Sequence, residues 1–203
     1  MVEKILTITV PSYNVEKFLA NTLDSFVDPR VLDEIEVLIV DDGSKDYTEQ
    51  KVCGLAQKDR HVKYYSFSRN FGKEAAMYAG LEQSNGDYVV IIDADLQDPP
   101  ELIEEMYATL LEGEYDCVGS RRVTRKGESK IRSFFARQFY KIIRKISQTD
   151  IVDGARDFRM MTRQMVDSII SVKEYNRFSK GIFGWIGFKT YWLPYENVNR
   201  VAG

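Results

Sequence analysis

Short stretches of this 203-residue chain carry side chains able to handle a metal and a nucleotide. The sharpest is Asp93-Ala94-Asp95-Leu96-Gln97. Two carboxylates on one side of an extended turn can hold Mg2+ or Mn2+, hard ions that take oxygen ligands, and Gln97 could add another oxygen. Such an ion would neutralise a leaving diphosphate. The bland alternative is a solvated acidic turn, with Asp98 capping the helix that follows. The apolar run Tyr88–Ile92 just ahead favours the mouth of a buried strand. Asp41-Asp42-Gly43-Ser44 offers carboxylates that accept from ring N–H and ribose hydroxyl groups. A strand-to-helix turn with Gly43 at positive φ would use the same residues. In Pro11-Ser12-Tyr13-Asn14, Tyr13 can stack on a base, and Asn14 can simply cap the next helix. In Ser68–Lys73, Arg69 or Lys73 could meet a phosphate, or the stretch is an ordinary glycine turn.

These stretches need a frame that brings them together. Strands are expected at Ile5–Val10, Ile35–Val40, Val62–Phe67, Tyr88–Ile92 and Asp116–Gly119. Helices are expected at Val15–Phe26, Tyr47–Gln57, Lys73–Gln83 and Pro99–Leu111, the last opened by Asp98 as N-cap and proline in its first turn. Alternating strands and helices imply βαβ units and a mainly parallel open sheet. In such sheets ligands bind at the carboxyl ends of the strands, where the three acidic or polar stretches would converge. A length of 203 residues suits one α/β domain. The alternating pattern changes after Gly119, which divides the domain into residues 1–120 and 121–203.

Composition removes several classes. His61 is the only histidine, which argues against histidine zinc sites and Ser-His-Asp catalysis. Cys53 and Cys117 form no CxxC pair and fit a reduced compartment. No apolar run reaches the roughly 18 residues of a spanning helix, so the chain reads as soluble. The formal charge of −3 hides a basic block: residues 121–145 hold ten Lys/Arg against one acid, Glu128. Within it Ile131, Phe134, Phe135, Phe139, Ile142, Ile143 and Ile146 follow helical spacing. A basic amphipathic helix near Ser129–Ser147 is expected, with Arg132, Arg137, Lys141, Arg144 and Lys145 facing anionic headgroups and Arg137 or a neighbour able to pair with a phosphate. The alternative is a packed helix with a solvated basic face. No nucleic-acid module accompanies the patch. Asp153–Phe158 reads as a polar turn, Met160–Val172 as mostly helix, and Lys189–Tyr195 as a last strand.

The segments ITVPSYN, VLIVDDGSKDYT, SRNFGKEAAMYAGLEQSNGDYVVIIDADLQDPPELI and VGSRR together resemble glycosyltransferase family two, an inverting family with a GT-A-type, Rossmann-like fold. DGARDFRMMTR and RFSKGIFGWIGFK resemble its polyprenyl-phosphate glycosyltransferase branch. The resemblance implies that Pro11, Tyr13, Asn14 and Asp42 line a nucleoside pocket. It implies that Asp93, Ala94 and Asp95 hold the donor diphosphate and metal, with Gln97 helping. Arg121 would meet a phosphate, Arg200 would lie on the donor side, and Asp157 would stand near the reacting centre. Val15 stands where some dolichyl-phosphate mannose synthases carry Glu, which slightly weakens a guanine-nucleotide assignment. The overall pattern is most similar to bactoprenol glucosyltransferases, so UDP-glucose is the expected donor and undecaprenyl phosphate the expected acceptor, with UDP-GlcNAc, another UDP-sugar and GDP-mannose as alternative donors. Alternatives are a glycan acceptor or a non-catalytic nucleotide-sugar-binding domain. The resemblance further implies work at the cytoplasmic face of a bacterial membrane, with a membrane-spanning region expected beyond residue 203, and leaves homo-oligomerisation open.

Overall fold

A computed structural model of the chain describes residues 4–26, 32–95, 97–123, 152, 154–174 and 177–196. The expected basic helix, with Arg132, Arg137 and Lys141, lies outside the described residues, as does Arg200. The described elements are β1 (Leu6–Ser12), α1 (Leu19–Asp24), a 3-10 turn (Leu32–Glu34), β2 (Ile35–Asp41), α2 (Thr48–Ala56), β3 (Val62–Ser66), α3 (Lys73–Gln83), β4 (Tyr88–Ile91) and α4 (Leu102–Leu111). They continue with β5 (Cys117–Arg122), β6 (Ala155–Thr162), α5 (Arg163–Ser171), α6 (Ser179–Trp185) and β7 (Thr190–Tyr195).

The strands form one seven-stranded sheet in the order β3-β2-β1-β4-β6-β5-β7. All neighbours pair parallel except β6, which runs antiparallel to both β4 and β5. The central strands are apolar on both faces because helices cover both. Leu19, Leu23, Val52, Met106 and Leu110 of α1, α2 and α4 pack with Ile8, Val10, Val90, Phe158 and Met160 on one side. Met77, Leu81, Met165, Val166, Ile169, Ile182 and Phe183 of α3, α5 and α6 pack with Val89, Ile91 and Met161 on the other. The mainly parallel α/β frame is as the alternation of patterns predicts.

Three expectations are corrected. The stretch read as a polar turn and the start of a helix is β6, with α5 beginning only at Arg163. Arg156, Asp157 and Arg159 made it look solvated, but each finds a partner inside the fold. Asp98 does not cap α4, whose N-cap is Glu101. Instead Asp98 is buried, pairs with Arg156 at 3.2 Å and accepts a hydrogen bond from the Tyr195 hydroxyl. α1 begins four residues late, after a turn over 16–18, and Asn14 is not its cap.

The amino-terminal edge of the sheet is fastened by Glu36, a buried carboxylate of β2. Glu36 accepts from Thr7 Oγ1 (2.7 Å), Asn85 N (2.8 Å) and Lys63 Nζ (2.5 Å). It thereby ties β1, β2, β3 and the turn before β4 into one register, which aligns the far strand ends where the chemistry lies. Burial alone would raise its pKa, but the Lys63, Thr7 and Asn85 hydrogen bonds together take it below the ordinary value. A depressed carboxylate contributes stability above its unfolded pKa and loses that contribution in acid. Glu36→Gln is therefore expected to lower unfolding free energy in urea by about 1–2 kcal/mol at neutral pH. The gap between variant and parent should close as pH falls below the ordinary 4.5. A gap that stays constant or widens in acid would contradict this role.

Candidate active site

The carboxyl ends of β1, β2 and β4 open on one cleft of about 360 Å³. Pro11, Tyr13, Asp42, Lys73, Asp93, Ala94 and Asp95 all line it, together with Ser12, Val15, Asn70, Gly72 and Ala76. The pairing explains the convergence. Ser12 lies opposite Asp41 in the parallel β1–β2 ladder, and Asp42 N donates to Ser12 O at 2.8 Å. β4 lies along the other side of β1, which brings Asp93 beside Pro11. Thr22 of α1 donates to Ala94 O at 2.7 Å and holds the acidic turn against the core.

The two neighbouring aspartates divide their work. Asp41 is buried and accepts from Ser44 N (3.0 Å), the Ser44 hydroxyl (2.5 Å) and the Tyr64 hydroxyl (3.0 Å), so it builds the turn. Asp42 accepts from Phe71 N (2.6 Å) and Gly72 N (2.9 Å), which pulls the 69–72 loop over the cleft. Two glycines permit this. Gly43 has φ +68°, and a Cβ there would lie 2.6 Å from Arg69 C. Gly72 has φ +97° at the start of α3. Asn14, at φ 53°, accepts from Lys45 N at 2.9 Å through its side-chain oxygen and donates its own N–H to Ser44 Oγ at 2.8 Å, so it braces the β1 loop against the β2 loop. Tyr13 lines the cleft and is 44% exposed.

Lys73, the first residue of α3, is the junction of the site. Its Nζ lies 2.7 Å from Asp93 Oδ1 and 2.7 Å from Asp157 Oδ2. The antiparallel β4–β6 register, with Ile91 opposite Arg159, sets Asp93 opposite Asp157 when continued past the ladder. Like charges facing across strands repel, and the single ammonium of Lys73, bridging both carboxylates, offsets that repulsion. Burial raises the Asp93 pKa, and Lys73 only partly opposes that. For Asp157 burial also pushes upward, but the charges of Lys73 and Lys180 win and hold its carboxyl below the usual range. Burial would lower the Lys73 pKa, yet the two carboxylates raise it, so the ammonium stays charged.

Asp93 and Asp95 present hard oxygen donors at the cleft, which fits Mg2+ or Mn2+. No group of three or more His, Cys, Asp or Glu gathers around a common point among the described residues. An ion there would complete its shell from phosphate oxygens and water, as Mg2+ commonly does. Gln97 joins through its backbone: its N–H donates to Asp95 Oδ1 at 3.2 Å. Arg121, the last residue but one of β5, lies opposite Ala155, so it shares the sheet edge with Asp157 without lining the cleft. His61 precedes β3 and lies at the opposite edge, clear of the site.

Sequence reading missed several neighbours of Asp157. Arg159 is buried, with its guanidinium 3.9 Å from the Phe183 ring and donating to Arg156 O at 2.9 Å. Lys180, on a helix hidden within a glycine- and aromatic-rich stretch, carried no local signal of its own.

The model of "Glycosyl transferase family 2" matches residues 7–170. The chain belongs to glycosyltransferase family 2. CsbB of Bacillus subtilis (strain 168) is 42% identical, covering 100% of this chain and 62% of its own. The bactoprenol glucosyl transferase of Shigella phage SfV is 38% identical, covering 98% of this chain and 65% of its own. The chain thus spans less than two thirds of these relatives' length. Among solved structures, the mannosyltransferase PcManGT from Pyrobaculum calidifontis, in complex with GDP-Man and Mn2+, superposes with a TM-score of 0.67 at 22% identity. The match covers 97% of this chain and 57% of that one. This likeness shows the fold, a GT-A-type sheet.

If Lys73 is the charge that lets Asp93 and Asp157 face each other, Lys73→Met should cost about 1–2 kcal/mol in urea unfolding, a modest figure because the lysine is partly exposed. Mn2+ should raise the variant's unfolding midpoint more than the parent's, since the ion supplies charge the variant lacks. An unchanged midpoint without metal would show that the two carboxylates do not need the ammonium.

Proposed function

We propose that this chain transfers a sugar from a UDP-sugar, glucose by preference, to a polyprenyl phosphate such as undecaprenyl phosphate, with inversion at the anomeric carbon. The observation that carries the reading is the Asp93–Lys73–Asp157 cluster beside a cleft built from three parallel strand ends. Family membership supplies the reaction class. The polyprenyl acceptor and glucose rest on relatives whose names record bactoprenol glucosyl transfer.

Each residue has a task in this reading. Tyr13 stacks on the uracil and Asp42 accepts from the base or ribose, with the 69–72 loop folded over them. Asp93 and Asp95 hold the divalent ion, which when bound neutralises charge on the departing diphosphate. A phosphate oxygen of the acceptor forms the new bond to the anomeric carbon as the bond to UDP breaks on the opposite face. The acceptor phosphate is already largely ionised, its second pKa being about 6, so no base need take a proton from it. Asp157 orients the acceptor or stabilises positive charge growing on the sugar. Arg121 meets a phosphate, with Arg200 on the donor side. Arg132, Arg137 and Lys141 bring the domain to an anionic membrane surface at the cytoplasmic face of the cell. No helix among the described residues is long and apolar enough to cross a membrane.

Two substitutions separate the roles. Asp95→Asn should abolish transfer from UDP-glucose to undecaprenyl phosphate with the fold intact by circular dichroism; full activity at saturating Mg2+ or Mn2+ would remove the metal assignment. Asp157→Asn should keep UDP affinity by calorimetry within about threefold while losing about a hundredfold or more in turnover. If UDP affinity collapses as well, Asp157 belongs to the donor pocket or to the fold.

A further inference from the structure

Asp157 stands between two lysines that differ in how they are spent. Lys73 Nζ contacts Asp157 Oδ2 at 2.7 Å and gives its remaining charge to Asp93. Lys180 Nζ lies on the side of the other oxygen, 3.9 Å from Asp157 Oδ1, beyond hydrogen-bond reach. An ammonium carries three donors. Among the described residues Lys180 commits one of them, to Ala155 O at 3.2 Å. Its side chain keeps 28% of its surface open.

Lys180 is also held in place. Glu74, the residue after Lys73 on α3, accepts from the backbone N–H of Ser179 at 3.0 Å and from its hydroxyl. One turn of α3 therefore sends Lys73 to one side of Asp157 and fixes the start of α6, and with it Lys180, on the other. Three residues further along α6, Phe183 packs its ring 3.9 Å from the guanidinium of Arg159, which stands two residues after Asp157 on β6. The helix is pinned at both ends of its first turn to the elements that carry the reacting cluster.

Resting on the function proposed above, we infer that Lys180 binds the acceptor's phosphate, and that Glu74 and Ser179 are positioning residues for it. In a displacement with inversion the nucleophile approaches opposite the leaving group. The donor diphosphate belongs to the Asp93–Asp95 side, and Lys180 does not line that cleft. A phosphate monoester brought up to two carboxylates needs a cation on its own side. Lys180 is a part-exposed, anchored ammonium with donors to spend there, whereas Lys73 is committed to the carboxylates.

The test uses the 203-residue chain, undecaprenyl phosphate in detergent micelles and radiolabelled UDP-glucose, comparing the parent with Lys180→Met, Lys180→Arg and Glu74→Gln. Lys180→Met should raise the KM for undecaprenyl phosphate at least about tenfold, while UDP affinity by calorimetry stays within about twofold. Lys180→Arg should recover most of the acceptor KM, because it restores the charge, and Glu74→Gln should fall between. A merely structural role would not give an acceptor-specific KM change rescued by arginine. If Lys180→Met transfers with the parent's acceptor KM, or loses UDP affinity in step, the assignment of Lys180 is wrong and the proposed function stands. If the parent transfers no sugar to undecaprenyl phosphate, the function and the assignment fall together.

Discussion

Lys73 offers one ammonium to two carboxylates that the β4–β6 register places face to face. Without a cation between them Asp93 and Asp157 would repel across the end of the sheet. With it, the acidic turn after β4 and the first residues of β6 can approach as closely as a donor and an acceptor must. The position of α3 is set by the same need. The helix starts directly at Lys73, after a positive-φ glycine and a loop drawn in by the Asp42 carboxylate. Its next residue anchors α6 through Ser179. The strand ends of β4 and β6 and the helix that carries Lys180 thus meet through one helical turn.

β6 distributes charge between the two faces of the sheet. Arg156 points to one side, where buried Asp98 pairs with it and Tyr195 donates to the same carboxylate. Asp157 and Arg159 point to the other, towards Lys73, Lys180 and Phe183. Buried ionic groups are costly unless paired and hydrogen-bonded. Here they fasten an antiparallel strand between β4 and β5, and that strand delivers Asp157 to the same edge as the parallel strand ends. The expense of burying them is tied to the geometry of the site.

The parallel half was legible because its signals are local. Apolar runs ending in Pro11-Ser12-Tyr13-Asn14, Asp41-Asp42 and Asp93-Ala94-Asp95 mark strand mouths, and the rule for open sheets brings them together. The division between Asp41, which builds a turn, and Asp42, which holds a loop, was not legible, since both are aspartates at a strand end. β6 was misread because its charged residues look solvated until Asp98, Lys73 and Phe183, all distant in sequence, supply their partners. Asp98 looked like a helix cap for the same reason. Asp157 was singled out by its resemblance to family motifs, yet the approach of Lys180 to it depends on the Glu74–Ser179 contact between α3 and α6, which no periodicity reveals.

The central claim is that the cleft over Asp93 and Asp95 receives the donor diphosphate and its metal, with the base beside Tyr13 and Asp42. Anomalous diffraction from crystals grown with Mn2+ and UDP tests this directly. The account predicts a manganese peak in contact with carboxylate oxygens of Asp93 or Asp95 and with the diphosphate, with the uracil ring against Tyr13. A manganese peak away from both aspartates, or UDP bound outside this cleft, would contradict it.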